Sequence, residues 1–294
     1  MSAVLEAAPA PALDPQAHVE AVVARSGTSF GLGMRILGKP RREAMHAVYA
    51  FCREIDDIAD EPGPLDQKRR ELEGWRQEIE ALYAGRPSRP TARALAGPVE
   101  RYGLAKAEFL LLIEGMEWDA EGPIIAPGFE RLRGYCRRVA GAVGMLSMPI
   151  FGAPAGAACD RFALAMGEGL QLANITRDVG EDAAEGRLYL PAELLDAEGL
   201  PHDPAGALAH PRLPEVRKAL GGRAREAFAA ALSETELLGW TKVRPALLMH
   251  AVYNLSLAAL EREGFRRIAK PSISKSAKIF AALRAALIPP AQAR

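Results

Sequence analysis

Two segments of this chain place a pair of aspartates four residues apart in an otherwise apolar helical pattern, and each pair must be either solvated or neutralised. Asp56 and Asp60 close the stretch YAFCREIDDIAD, residues 49–60, and Asp178 and Asp182 lie in QLANITRDVGED, residues 171–182. Residues i and i+4 share one helix face. At 100° per residue, Tyr49, Arg53, Asp56 and Asp60 fall within an arc of about 60°, and Gln171, Asn174, Asp178 and Asp182 within about 80°. Val48, Phe51 and Ile55 flank the first stripe; Leu170, Leu172 and Ile175 flank the second. A polar stripe bordered by apolar residues suggests the lining of a cavity.

Like charges at this spacing repel by a few tenths of a kcal/mol on a surface helix, and by more once buried. A hard divalent cation removes that cost. Mg²⁺ prefers carboxylate oxygens, keeps several waters and commonly bridges to substrate phosphates. Two such stripes facing each other would hold Mg²⁺ around a diphosphate, with Arg53 and Arg177 adding charge-assisted hydrogen bonds to its oxygens. The plainer alternative is two solvated acidic helix faces. The matched spacing, the paired amide and arginine residues and the apolar flanks favour the clamp.

The rest of the chain reads as helix. Leu, Ala, Glu and Arg abound and β-branched runs are scarce. Expected helices follow Pro40 as far as residue 61 and cover 65–83, 104–119, 129–151, 161–182, 215–238, 246–263 and 274–287. Gly141, Gly144 and Pro149 are expected to bend or end the fourth of these, or to permit close helix contact. Residues 198–212 form the largest irregular interruption. Connections are short, no repeat of fixed period is visible, and 294 residues with 49% hydrophobic side chains suffice for one large core. The expected layout is an N-terminal tail over 1–17, one all-α domain over 18–288 and a short tail over 289–294.

Charge is balanced at 37 basic and 37 acidic residues, so nothing global points to nucleic acid. Cys52, Cys136 and Cys159 form no CxxC pair, and an odd number suggests no disulfide framework. The Ala- and Pro-rich start does not resemble a signal peptide. The longest apolar run, 245–260, falls short of the ~20 residues a bilayer-spanning helix needs and reads as a buried core helix. A cytoplasmic protein is expected. Arg266, Arg267, Lys270, Lys275 and Lys278 precede IFAALRAALIPP. A solvated basic face is one reading of this C-terminal helix; peripheral contact with anionic lipid at the inner face of the membrane is the other.

Four stretches resemble the squalene/phytoene synthase family of head-to-head prenyl transferases: SGTSF at 26–30, YAFCREIDDIAD at 49–60, YCRRVAGAVG at 135–144 and QLANITRDVGEDAAEGRLYLP at 171–191. The likeness spans roughly residues 20–285, and the last two motifs together are highly specific. It implies an isoprenoid-synthase-type helical bundle around a central apolar cavity, with two DxxxD motifs facing each other across its mouth. It implies Asp56 and Asp60 as the first metal-binding motif and Asp178 and Asp182 as the second, with Asn174 and Gln171 supporting metal or substrate. Ser26, Gly27, Thr28, Ser29, Tyr49, Arg53 and Arg177 resemble diphosphate-contacting positions. The resemblance also implies that Tyr253 approaches the substrate and that Arg187 and Tyr189 belong to a flap-like segment after the second motif.

GMEWDAEGP at 115–123, YCRRVAGAVG and EDAAEGRLYLP are most similar to the bacterial presqualene diphosphate synthases of hopanoid or squalene pathways. The implied reaction is Mg²⁺-dependent condensation of two farnesyl diphosphates, with Mn²⁺ as a substitute metal. Phytoene synthase, acting on the C20 homologue, and NADPH-dependent squalene synthase are the alternatives. Gly31-Leu32-Gly33 begins like a dinucleotide fingerprint, but Ile36 stands where the third glycine would lie and no strand precedes it, so no NADPH is expected. A non-enzymatic subunit derived from the same fold would have degraded aspartate motifs; both are intact here.

Overall fold

Helix ends in this chain are set by proline and glycine. Pro40 lies in the first turn of the helix carrying the first aspartate pair, where a missing N–H costs nothing, and glycines with positive φ stop others, at Gly103, Gly152 and Gly199. A computed structural model describes residues 14–26 and 30–289. In chain order the helices are α1 (Pro15–Ser26), α2 (Phe30–Arg35), α3 (Lys39–Asp60), α4 (Leu65–Tyr83), α5 (Pro90–Tyr102), α6 (Lys106–Ala120) and α7 (Phe129–Cys136). A π-turn (Arg137–Gly141) follows, then α8 (Ala142–Phe151), α9 (Ala157–Ala184), α10 (Ala192–Glu198), α11 (Pro204–Ala209), α12 (Leu213–Ser233), α13 (Thr235–Leu238), α14 (Trp240–Arg262) and α15 (Lys275–Leu287). No β-strand occurs among the described residues, only an isolated parallel bridge between Ile125 and Leu188. The all-α expectation holds.

Several boundaries differ from the sequence reading. α1 opens at Pro15, inside the span read as tail. α5 has no counterpart among the expected helices, because Gly97 and Pro98 interrupt its pattern. The segment read as one helix over 129–151 is two helices joined by the π-turn. The helix expected over 215–238 divides at Glu234, and the irregular stretch over 198–212 holds the short helix α11, with α10 just before it.

The main core is a continuous apolar cluster running from Met34 to Leu257, with a small second cluster of Val19, Val22 and Ala50. Phe51 of α3 meets Trp75 of α4 and Phe109 of α6 edge-on, each with centroids 5.2 Å apart, a favourable aromatic geometry. α14 is long and apolar enough to cross a bilayer by composition, yet it packs between α9 and α15 as a core helix, with residues from Val243 to Leu260 buried.

Two glycines bring α9 close to its neighbours. A Cβ on Gly144 would stand 2.7 Å from the Ala163 carbonyl oxygen, and one on Gly167 would stand 2.8 Å from the Ala140 carbonyl carbon. Only glycine permits that approach. α8 packs on both α3 and α9, so the two acidic helices are held apart with a cavity between them.

Candidate active site

The acidic end of α3 is crowded with charge. Arg53 Nη1 donates to Asp56 Oδ2 at 2.9 Å and its Nη2 pairs with Asp57 Oδ1 at 2.5 Å. Asp56 keeps 41% of its side-chain surface exposed, yet stands in a concave mouth ringed by protein. That burial, reinforced by Asp60 and opposed by Arg53, lifts its carboxyl to about 6. Burial also pushes the neighbouring Cys52 thiol up to about 12, with Asp56 adding to the shift; Cys136 lies buried and Cys159 is likewise free, as expected of reduced structural cysteines.

On α9, Arg177 grips its neighbour: Nε and Nη2 donate to the two Asp178 oxygens at 2.6 and 2.7 Å, and Nη2 also donates to Asn174 Oδ1 at 2.8 Å. The guanidinium lies over the Tyr253 ring, 5.4 Å from its centroid. Lys270 reaches in from the loop after α14, 3.5 Å from Asp178 and in contact with Glu181. Burial and the adjacent Asp178 raise the Asp182 carboxyl to about 7, against the pull of Arg187.

The segment after α9 closes the mouth. Leu188 N–H donates to the Ile124 carbonyl at 2.9 Å, and Ala126 N–H to the Leu188 carbonyl at 2.8 Å. This clip fixes Arg187 and Tyr189 on either side of Leu188. Arg187 Nη2 donates to Asp60 Oδ1 at 2.7 Å. Tyr189 and Tyr135 stack with centroids 5.3 Å apart and both donate to Asp119, at 3.2 and 2.9 Å. Burial lifts Asp119 to about 6, opposed by the Tyr135 hydrogen bond and by Arg187, while burial and the Asp119 charge raise the Tyr135 phenol well above its ordinary range.

Tyr49, Arg53, Asp56, Asp60, Asp119, Gln171, Asn174 and Arg187 line one cavity. A second, strongly apolar cavity is lined by Met148, Phe151, Phe162, Met166, Met249 and Tyr253 among others. The two share Met34, Met45, Val139, Val143, Gln171 and Asn174, so a charged mouth passes directly into an apolar tunnel. Val139 and Ala140 reach the tunnel from the π-turn, a departure from α-geometry often found at functional sites.

Most residues singled out from the sequence therefore converge. Asp178, Asp182 and Arg177 do not themselves line the mouth, although Asn174 and Gln171 on the same helix do. Ser26 spends its hydroxyl on the Val23 carbonyl at 2.8 Å, within α1. Gly27, Thr28 and Ser29 lie outside the described residues. Asp119 and Tyr135 are site residues that the sequence reading does not single out. Tyr135 opens the YCRRVAGAVG motif, and that is the signal that could have found it. In the sequence, Asp119 and Glu117 are equally compatible with surface and cavity; the structure separates them, since Glu117 turns outward to Arg76 at 2.6 Å.

Among the described residues no three carboxylate, imidazole or thiol groups gather tightly enough to hold a metal ion alone. That donor set still fits Mg²⁺, which takes one or two carboxylates and completes its shell with water and phosphate oxygens. The raised carboxyls of Asp56 and Asp182 mark negative charge that such a cation would relieve.

The squalene/phytoene synthase family profile matches residues 23–277. A presqualene diphosphate synthase of Zymomonas mobilis is 44% identical over 218 residues, covering 74% of this chain and 73% of that protein. One of Rhodopseudomonas palustris is 40% identical over 279 residues, covering 94% and 98%. Among solved structures, a squalene synthase from Alicyclobacillus acidocaldarius superposes with a TM-score of 0.78 at 27% identity, covering 85% of this chain and 94% of that one.

Proposed function

The chain belongs to the squalene/phytoene synthase family, and on that premise we propose that it condenses two molecules of farnesyl diphosphate head-to-head into presqualene diphosphate, releasing diphosphate, on a route to squalene or hopanoids. The observation that carries this reading is the continuity of the charged mouth with the apolar tunnel through Gln171 and Asn174. A molecule with a diphosphate head and a prenyl tail matches both compartments at once.

Mg²⁺, held by Asp56 and Asp60 on one side and Asp178, Asp182 and Asn174 on the other, would neutralise the charge that develops on the departing diphosphate. Arg53 and Arg187 line the same mouth and stabilise that charge from fixed positions, while Arg177 holds Asp178 and Asn174 behind it. Loss of diphosphate leaves an allylic cation, which the methionine and phenylalanine lining of the tunnel shields from water. The C2–C3 double bond of the second prenyl diphosphate attacks that cation, and loss of one proton closes the cyclopropane. The retained diphosphate is the expected base. Tyr135 and Tyr189 hold Asp119 oriented at the rim of this space.

The test is product analysis: purified protein with farnesyl diphosphate and Mg²⁺, with and without NADPH, read by mass spectrometry. Presqualene diphosphate in both arms supports the proposal. Squalene formed only with NADPH would make the protein a bifunctional synthase, and turnover only of the C20 homologue would make it a phytoene synthase.

A further inference from the structure

The last described helix, α15, wears its amphipathic pattern inside out. The side it lays on α14 is built of small residues: Ala282 is buried, and Ala277, Ala281, Ala285 and Ala286 are partly so. Its bulky side chains point away from the protein, with Ile279 53%, Phe280 71%, Leu283 54% and Leu287 73% exposed. At 100° per residue these four fall within an arc of about 100°. With Ile288 they make five of the eight large hydrophobic side chains exposed among the described residues, so the apolar surface of this protein is concentrated on one helix. A helix folded for its own core does the reverse, and a concentrated apolar stripe marks an interaction surface.

Charge identifies the partner. Residues 264–289 contain Arg266, Arg267, Lys270, Lys275, Lys278 and Arg284 and no acid, whereas the chain as a whole is balanced. Lys275 and Arg284 sit within about 40° of either edge of the stripe. No acid pairs with Lys275, Lys278 or Arg284 among the described residues, although Lys270 and Arg267 have acidic partners. A two-fold contact between copies of the chain through this stripe would set like cations against each other. An anionic lipid surface satisfies both features, since its boundary accepts apolar side chains and its phosphates pair with lysine and arginine.

We propose that α15 is the surface by which this protein lies on an anionic bilayer, with Ile279, Phe280, Leu283 and Leu287 entering the headgroup boundary and Lys275 and Arg284, exposed beside the stripe, pairing with lipid phosphates. A side chain of the core anchors the helix in this position, since Arg244 Nη1 of α14 donates to the Ala286 carbonyl at 3.3 Å. The place also suits the cavity. α14 shows Leu247, His250 and Ala251 to α15 and, from its other side, Ala246, Met249 and Tyr253 to the apolar tunnel. The lipid contact is thus about one helix diameter, ~10 Å, from the tunnel.

The test is co-sedimentation of the full chain with vesicles of phosphatidylcholine alone and of phosphatidylcholine with an equal part of phosphatidylglycerol, at low and high salt. Binding is expected only to the mixed vesicles, with release by salt. Phe280→Ser combined with Leu287→Ser should weaken it about tenfold or more. Lys275→Gln and Arg284→Gln together should weaken it about 25-fold, near fivefold for each charge. Both variants should keep wild-type helicity and turnover of detergent-dispersed substrate, which separates lost lipid contact from misfolding. Binding to neutral vesicles with equal strength, no binding at all, or binding that both variants leave unchanged would overturn the proposal. So would a concentration-dependent dimer, seen by light scattering and abolished by both variants, without vesicle binding; that result would give the face to a second copy.

Discussion

Arg187 reaches from the segment after α9 to Asp60 at the end of α3, donating across 2.7 Å. The two residues are 127 positions apart in the chain and join the two acidic helices at the mouth. Arg187 also acts on the charges of Asp56 and Asp182, one from each aspartate motif, so it is the cation common to both. Arg187→Gln should therefore lower kcat/KM for the prenyl diphosphate by about a hundredfold, with Arg187→Lys recovering part of the loss because it restores charge without the planar fork. Steady-state kinetics decide this; a Gln variant with unaltered kinetics would remove Arg187 from the account.

The loop after α14 crosses α9 at Gly180, where a Cβ would stand 2.7 Å from Ile268 Cγ2 and 3.2 Å from the Ile268 carbonyl oxygen. The same loop delivers Lys270 to Asp178 and Glu181. Gly180→Ala should push the loop off the helix and lower catalytic efficiency about tenfold, the scale of a modest misplacement of binding groups, with little change in Tm. Adding Ile268→Ala relieves the closer contact and should return most of the activity. Equal kinetics for all three proteins would show that the loop has no part in the site.

Arg217 has no surface exposed. It donates to the Thr176 carbonyl at 2.8 and 3.1 Å, to the Phe265 carbonyl at 2.7 Å and to the Arg267 carbonyl at 2.6 Å. Burial lowers its pKa only to about 10, so it stays charged at neutral pH. Arg217→Met strands these carbonyls and should cost about 2–4 kcal/mol, a fall in Tm of roughly 5–10 °C. A thermal melt at fixed pH reads it, and a Tm within a degree of wild type would contradict the assignment.

His250 packs edge-on against Phe228 at 4.6 Å, and burial, aided by Arg225, lowers its pKa from 6.5 to about 4. The folded state thus holds this imidazole neutral while the unfolded chain protonates it below 6.5. The stability it contributes is complete above pH 6.5 and is lost as pH falls towards 4, amounting to at most about 3 kcal/mol. Denaturant unfolding of His250→Asn should show a shallower decline than wild type across that window. Identical slopes would place His250 in contact with solvent.

The aspartate stripes were legible because their spacing, their apolar flanks and their matched arginine and amide neighbours are all local properties of one helix. The tunnel lining was less legible: Met148 and Phe151 have the helical spacing of ordinary core, and they are core that faces a cavity. Three-dimensional partnerships were not legible. Asp119, Tyr135 and Tyr189 come from three separate segments, and no local pattern shows that they meet. Arg217 sits among the charged residues of α12, and nothing in a helical pattern distinguishes it from Arg223, which is exposed. The π-turn at Arg137–Gly141 preserves helical periodicity closely enough to pass for one helix. α5 is hidden for the opposite reason: Pro98 breaks the local pattern, while burial of Thr91, Ala92 and Leu95 against neighbours holds the helix together.

The central claim is that Asp56 with Asp60 and Asp178 with Asp182 grip one diphosphate through shared divalent ions. Mn²⁺ binding followed by electron paramagnetic resonance, with and without a non-ionisable thio-analogue of farnesyl diphosphate, tests it on the wild type and on Asp56→Asn and Asp178→Asn. The account predicts tight Mn²⁺ binding only when the analogue is present, fewer ions bound in each variant, and undiminished helicity in both. Unchanged Mn²⁺ stoichiometry and affinity in both variants would contradict it.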